Sequence, residues 1–170
     1  MKAKNAKKAL VSVVMGSDSD LPIMTETTKV LEEFGIDFEL ILTSAHRTPQ
    51  RTTKFAASAV GRGIKVIVVG AGAAAHLAGV IASQTTLPVI GIPINATALN
   101  GLDALLSTVQ MPGGIPVATM AIGTAGAKNA ALFAARILAL EDKELRTKLS
   151  AYIKKMAKDV EKKQKNLTTL

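Results

Sequence analysis

Lys65-Val66-Ile67-Val68-Val69, running into Gly70-Ala71-Gly72-Ala73-Ala74-Ala75-His76, is the clearest strand-to-turn passage in the chain. An unbroken β-branched run of this kind suits a strand buried on both faces of a parallel sheet rather than one with a wet side. Working outward, Ala9 to Met15 is a similar run, broken by Gly16-Ser17-Asp18-Ser19-Asp20. Pro22 then opens a helical pattern to about Phe34, closed by Gly35 as the residue past its end. Asp37–Leu42 reads as a second strand, with Thr48 as the N-cap of a helix from Pro49 to about Val60, ended by Gly61-Arg62-Gly63. After His76 come a short helix to about Ser83, a strand Pro88–Ile92, a helix Leu102–Val109 and a short strand Val117–Met120. An Ala-rich helix from Gly126 to Leu140 and a charged one from about Asp142 to Lys163 complete the pattern, with Leu167–Leu170 expected to fray.

Strands alternating with helices predict an α/β fold: a three-layer, doubly wound parallel sheet with an added C-terminal helix. The 170 residues read as a single domain, with its core at about 9–140 and the added helix at about 142–163.

Mean hydropathy is high at +0.30, yet no apolar run reaches the roughly 18 residues of a membrane span. The basic N-terminus is followed by too short an apolar run for a secretory signal, and the chain has no Cys. Both features predict a cytoplasmic protein with no membrane partner.

The net charge of +8 belongs to the ends. Residues 1–8 hold four Lys and no acid, and residues 141–170 hold nine Lys/Arg against five Asp/Glu. The 132 residues between them carry eight basic and eight acidic side chains. A neutral body with four Phe, one Tyr and no Trp offers neither a basic face nor stacking platforms, so no nucleic-acid partner is expected.

In an open parallel sheet, ligands bind beyond the carboxyl ends of the strands. Three of those ends carry unusual residues: Gly16–Asp20, Ser44-Ala45-His46-Arg47-Thr48-Pro49, and Gly70–His76. Parallel strands bring all three turns to one edge. The first supplies hydroxyls, carboxylates and free N–H groups for a phosphate or a ribose, or simply caps a helix through Ser19 or Asp20. Arg47 has the planar fork that grips phosphate, and His46 is the natural proton carrier near neutral pH. Gly70 and Gly72 leave room for a ligand. They match a dinucleotide fingerprint only weakly, because no acid follows at the required distance. His76 reads equally as helix-terminal packing or as a site wall. Two histidines without Cys make a metal site an unfavoured reading.

Taken together, Met15–Asp20, Ser44–Pro49, Gly70–Leu77, Ser107–Pro112, Gly114-Ile115-Pro116 and Ala121-Ile122-Gly123 resemble the class I PurE family. These are the 5-(carboxyamino)imidazole ribonucleotide mutases of bacterial purine (IMP) biosynthesis. The likeness runs from about Val11 to Leu140. It implies a flavodoxin-like sandwich, a homo-octamer with sites at subunit contacts, and a cofactor-free shift of a carboxylate from the exocyclic amine to the ring carbon of a ribonucleotide. By the same resemblance His46 is the general acid–base. Ser17, Asp20 and Ser44 bind substrate, Arg47 holds the phosphate, and Gly72, His76 and Leu77 line the ring and carboxylate pocket. The family's direct-carboxylase branch resembles the same pattern with Lys-Gly after Ser-Ala-His, whereas Arg47-Thr48 matches the mutase branch. Ala73 stands where many members have Gly, and Ala78 where many have Pro. Two other readings compete: a flavodoxin-like FMN carrier, weakened by loops without aromatics, and a structural oligomer held by the segment Gly126–Ala139.

Overall fold

The computed structural model describes residues 8–167. Five strands form one parallel sheet: β1 (Val11–Met15), β2 (Phe38–Leu42), β3 (Val66–Gly72), β4 (Val89–Ile94) and β5 (Ala118–Thr119). Their order is β2-β1-β3-β4-β5, so the chain reverses its direction of travel across the sheet between β1 and β3. The helices are α1 (Leu21–Phe34), α2 (Pro49–Arg62), α3 (Leu77–Ala82), α4 (Leu102–Val109), α5 (Gly123–Leu138) and α6 (Lys143–Leu167). The expected three-layer α/β sandwich with an added C-terminal helix is the observed architecture.

Side chains alternate across a strand, so each buried run feeds two cores. Val11, Val13, Val66, Val68, Ile90 and Ile92 face α1, α5 and α6. Val14, Ile67, Val69 and Val89 face α2, α3 and α4. Small residues on α5 (Ala127, Ala130, Ala131, Ala134, Ala135) are wholly buried and let α1 approach closely, where Thr27 Oγ1 donates to the Ala127 carbonyl at 3.0 Å. That Ala-rich face is therefore packed inside the chain, while Phe133 on the same helix stays exposed. Near its start, a Cβ on Gly126 would stand 1.6 Å from the Ala121 carbonyl oxygen, so only glycine fits there.

Several boundaries differ from expectation. α2 continues through Gly61 and stops at Gly63, whose φ of +89° ends the helix. β3 runs on through Gly70 and Gly72. A Cβ on Gly70 would lie 2.2 Å from Met24 Sδ, so glycine here admits a core side chain and does not break the strand. β5 is only two residues long. α6 reaches Leu167; residues 168–170 of the expected frayed end lie outside the described residues, as do residues 1–7. The inner turns of α6 bury Leu145 and Leu149 in the chain's own core, and Tyr152 meets Phe34 edge-to-face at 5.6 Å. Ile153 and Met156 remain exposed on the same helix.

Candidate active site

The turns after β1, β2 and β3 all emerge at the carboxyl edge of the sheet, next to the switch between β1 and β3 where open α/β sheets bind ligands. They enclose a cleft of about 400 Å³, within the usual size range for small-molecule sites.

The first turn is a 3-10 turn, Asp18–Asp20, that caps itself. Ser17 Oγ accepts from the Ser19 N–H at 3.3 Å, and Asp20 Oδ2 accepts from the Ser17 N–H at 3.0 Å, closing a capping box. Ser17 thus caps the 3-10 turn with Asp20 as its reciprocal partner, and Asp20, at the N-cap position of α1, makes no side-chain cap to that helix. Asp20 is only 4% exposed, and burial pushes its carboxyl above the ordinary value. The Ser17 and Gly16 N–H groups and the nearby Arg47 guanidinium partly offset that rise.

The second turn is held by Thr48, whose Oγ1 accepts from the Ser44 N–H at 2.9 Å and donates to the Ser44 carbonyl at 3.1 Å. This use of the hydroxyl replaces the helix cap expected of Thr48; its side chain caps no helical N–H. Ser44 Oγ accepts from the Arg47 N–H at 3.2 Å. Arg47 Nη2 reaches back to the Gly16 carbonyl at 3.2 Å, tying the second turn to the first.

The third turn contributes Ala71 to Ala74, His76 and Leu77 to the cleft. Ala73 has φ +52°, a left-handed backbone that costs an alanine roughly 1 kcal/mol and a glycine almost nothing. The substitution of Ala at this position therefore carries strain that Gly would not. Gly72 lies close to the end of β4, and a Cβ there would stand 2.5 Å from Ala96 Cβ.

The second and third turns meet through their histidines. His46 Nε2 and His76 Nδ1 are 2.9 Å apart with the rings nearly perpendicular, at 79°. One of the facing nitrogens must donate and the other accept, so the pair holds a single proton between its rings. Such a pair, beside an arginine and serine hydroxyls, is equipped to exchange a proton with a bound anionic ligand.

Every site residue expected from the sequence lines this one cleft: His46, Ser17, Asp20, Ser44, Arg47, Gly72, His76 and Leu77. The histidine contact and the wall formed by Ala96 were not foreseen. The contact joins residues 30 positions apart, and an alanine carries no chemical signal. Among the described residues no three His, Cys, Asp or Glu side chains converge as metal ligands, and no helix is long and apolar enough to cross a membrane.

Residues 10–159 match the family model for AIR carboxylase. The chain belongs to the AIR carboxylase family. Within it, the chain is 58% identical to the N5-carboxyaminoimidazole ribonucleotide mutase of Pyrococcus horikoshii, over 95% of this chain and 90% of that one. It is 53% identical to the enzyme of the same name from Thermotoga maritima, over 92% and 91% of the two chains. Among solved structures, Treponema denticola PurE aligns with a TM-score of 0.85 at 29% identity, covering 94% of this chain and 98% of that one. Membership of this enzyme family extends to α6, since the match continues to residue 159.

Proposed function

We propose that the chain interconverts 5-(carboxyamino)imidazole ribonucleotide and 4-carboxy-5-aminoimidazole ribonucleotide, a step of de novo purine biosynthesis. The observation that carries this reading is the His46–His76 pair, set at 2.9 Å between two loops of a cleft that also holds Arg47. The names of the relatives support it.

In the proposed reaction the bond between the exocyclic nitrogen and the carboxylate breaks, releasing CO2, and His46 gives that nitrogen a proton. The ring carbon then attacks CO2, and the same imidazole takes up the proton that leaves the ring. No net proton is consumed. His76, hydrogen-bonded to His46, orients the ring and takes part of the charge that develops on it. General acid–base catalysis of this kind is worth roughly 10²–10⁴-fold. Holding CO2 beside the ring supplies the rest, and the small side chains of Ala71 to Ala74 leave room for it. Ser17, Asp20 and Ser44 bind the ribose and its neighbours, Arg47 holds the phosphate, and Gly72, His76 and Leu77 border the ring.

Both histidines are exposed in the single chain. Recapture of CO2 needs a dry chamber. The homo-octamer that the family resemblance implies, with sites at subunit contacts, would let neighbouring copies cover each cleft; the reading also takes the chain as one catalytic domain acting in the cytoplasm. An FMN carrier fits less well, because among the described residues the two imidazoles are the only aromatic rings lining the cleft.

The test supplies the carboxyamino substrate in one assay and aminoimidazole ribonucleotide with bicarbonate in another. Efficient turnover of the first is expected; efficient turnover of the second alone would make the enzyme a direct carboxylase.

A further inference from the structure

Beyond Arg47 the edge of the sheet opens into a second cleft of about 420 Å³, lying between the turns after β1 and β2. It shares Gly16, Ser17, Ser44 and Arg47 with the first cleft and adds Arg51 from the first turn of α2. Arg47 is therefore a partition with a cleft on each side.

The placement of Arg51 is unfavourable by itself. A cation at a helix N-terminus opposes the helix dipole, and the first turn of α2 carries no acid to compensate. A second cation, Arg47, lines the same cleft four residues earlier, and no ion pair engages either guanidinium among the described residues. The acid on the opposite wall, Asp18, makes no ion pair with either arginine among the described residues; its Oδ1 instead accepts from Ser17 Oγ at 3.2 Å and from the Ser19 N–H at 3.1 Å. In a body whose basic and acidic side chains balance, two unpaired guanidiniums in one cleft form a site for a doubly charged oxyanion.

We propose that Arg51 is a second phosphate-binding residue. The ribonucleotide straddles Arg47, with its base in the histidine cleft and its 5′-phosphate reaching the second cleft, where Arg47 and Arg51 hold it from two sides. The inference rests on the ribonucleotide reading above and extends it to a residue outside the Ser44–Pro49 motif.

Calorimetric titration of 4-carboxy-5-aminoimidazole ribonucleotide into the full-length protein tests it without requiring turnover. R51M, which keeps the length of the side chain and removes its charge, is expected to weaken binding about tenfold, and R51K to recover part of that loss. A dissociation constant for R51M within twofold of the unsubstituted protein overturns the proposal. Equal losses in R51M and R51K also overturn it, because the role would then be one of shape. Arg51 is exposed on an outer helical turn, and a thermal melt of each variant confirms that the fold is retained. Failure of the mutase reading looks different: the unsubstituted protein binds the ribonucleotide but does not convert it.

Discussion

In the turn after β1, side chains bond to one another and to their own backbone. Ser17, Ser19 and Asp18 exchange hydroxyl, carboxylate and N–H contacts, and Asp20 closes the box from beneath. In the turn after β3 there is almost none of this. Its residues from Ala71 to Ala75 have no side-chain hydrogen-bonding groups, Ala73 sits in a left-handed conformation, and the polar contact it makes across the cleft is through His76. Both turns line the same cleft, yet one is fixed by its own polar groups and the other takes its shape from what surrounds it. The proposed function, in which a phosphosugar is held still while a small neutral molecule changes place, uses both kinds of wall.

The largest expected effect lies where the compliant turn is gripped by its neighbour. His46→Asn is expected to lower turnover by about 10²–10⁴-fold while the circular dichroism spectrum and melting temperature stay unchanged. A matching loss of stability would mean that the histidine pair holds the third turn in place more than it moves protons.

Ser17→Ala tests the self-sufficient turn. Losing the cap should cost about 1 kcal/mol, read as a drop of roughly 2–4 °C in Tm. No change in Tm would show that the first turn, like the third, is shaped by its surroundings.

Asp20→Asn probes the same turn through pH. Burial holds the folded carboxyl above its unfolded value, so the folded state favours the protonated form. Wild-type stability from this group is complete below the unfolded pKa of about 3.9 and is lost as pH rises through the folded pKa. Asparagine keeps an acceptor for the Ser17 N–H and carries no charge. The variant should therefore match or exceed wild-type stability at neutral pH, and the gap should close in acid urea titrations. A variant less stable at pH 7 than the wild type, by an amount that shrinks in acid, would reverse the sign assigned to burial.

The smallest effect is expected at Ala73→Gly. Relief of the left-handed strain works against the added chain entropy of glycine, leaving a net change below about 1 kcal/mol. A Tm shift of more than about 4 °C in either direction would show that the third turn stores more strain than its backbone angle indicates.

The parallel sheet and the convergence of three turns were legible because both follow from period and order: buried runs alternate with helices, and parallel strands send their ends to one edge. The α4 bounds, Leu102–Val109, were readable from Asn100-Gly101 ahead of a compact apolar repeat. Failures came where a competing neighbour, near or distant in sequence, overrode the expected signal. Gly70 reads as the start of the turn, but it lies inside β3, where Met24 and Ile94 claim the space a side chain would need. Thr48 looked like a cap, but the Ser44 backbone was a nearer partner.

The bond between the two imidazoles also has a spectroscopic consequence. Once the cleft is covered and water is kept out, a ring N–H held between two nitrogens exchanges slowly and resonates far downfield, away from the crowded amide region. The chain has two histidines in total, so that proton would give a signal with little competition. Its appearance, sharpening or loss during a titration would read the separation of the second and third turns directly, with no label attached to the protein.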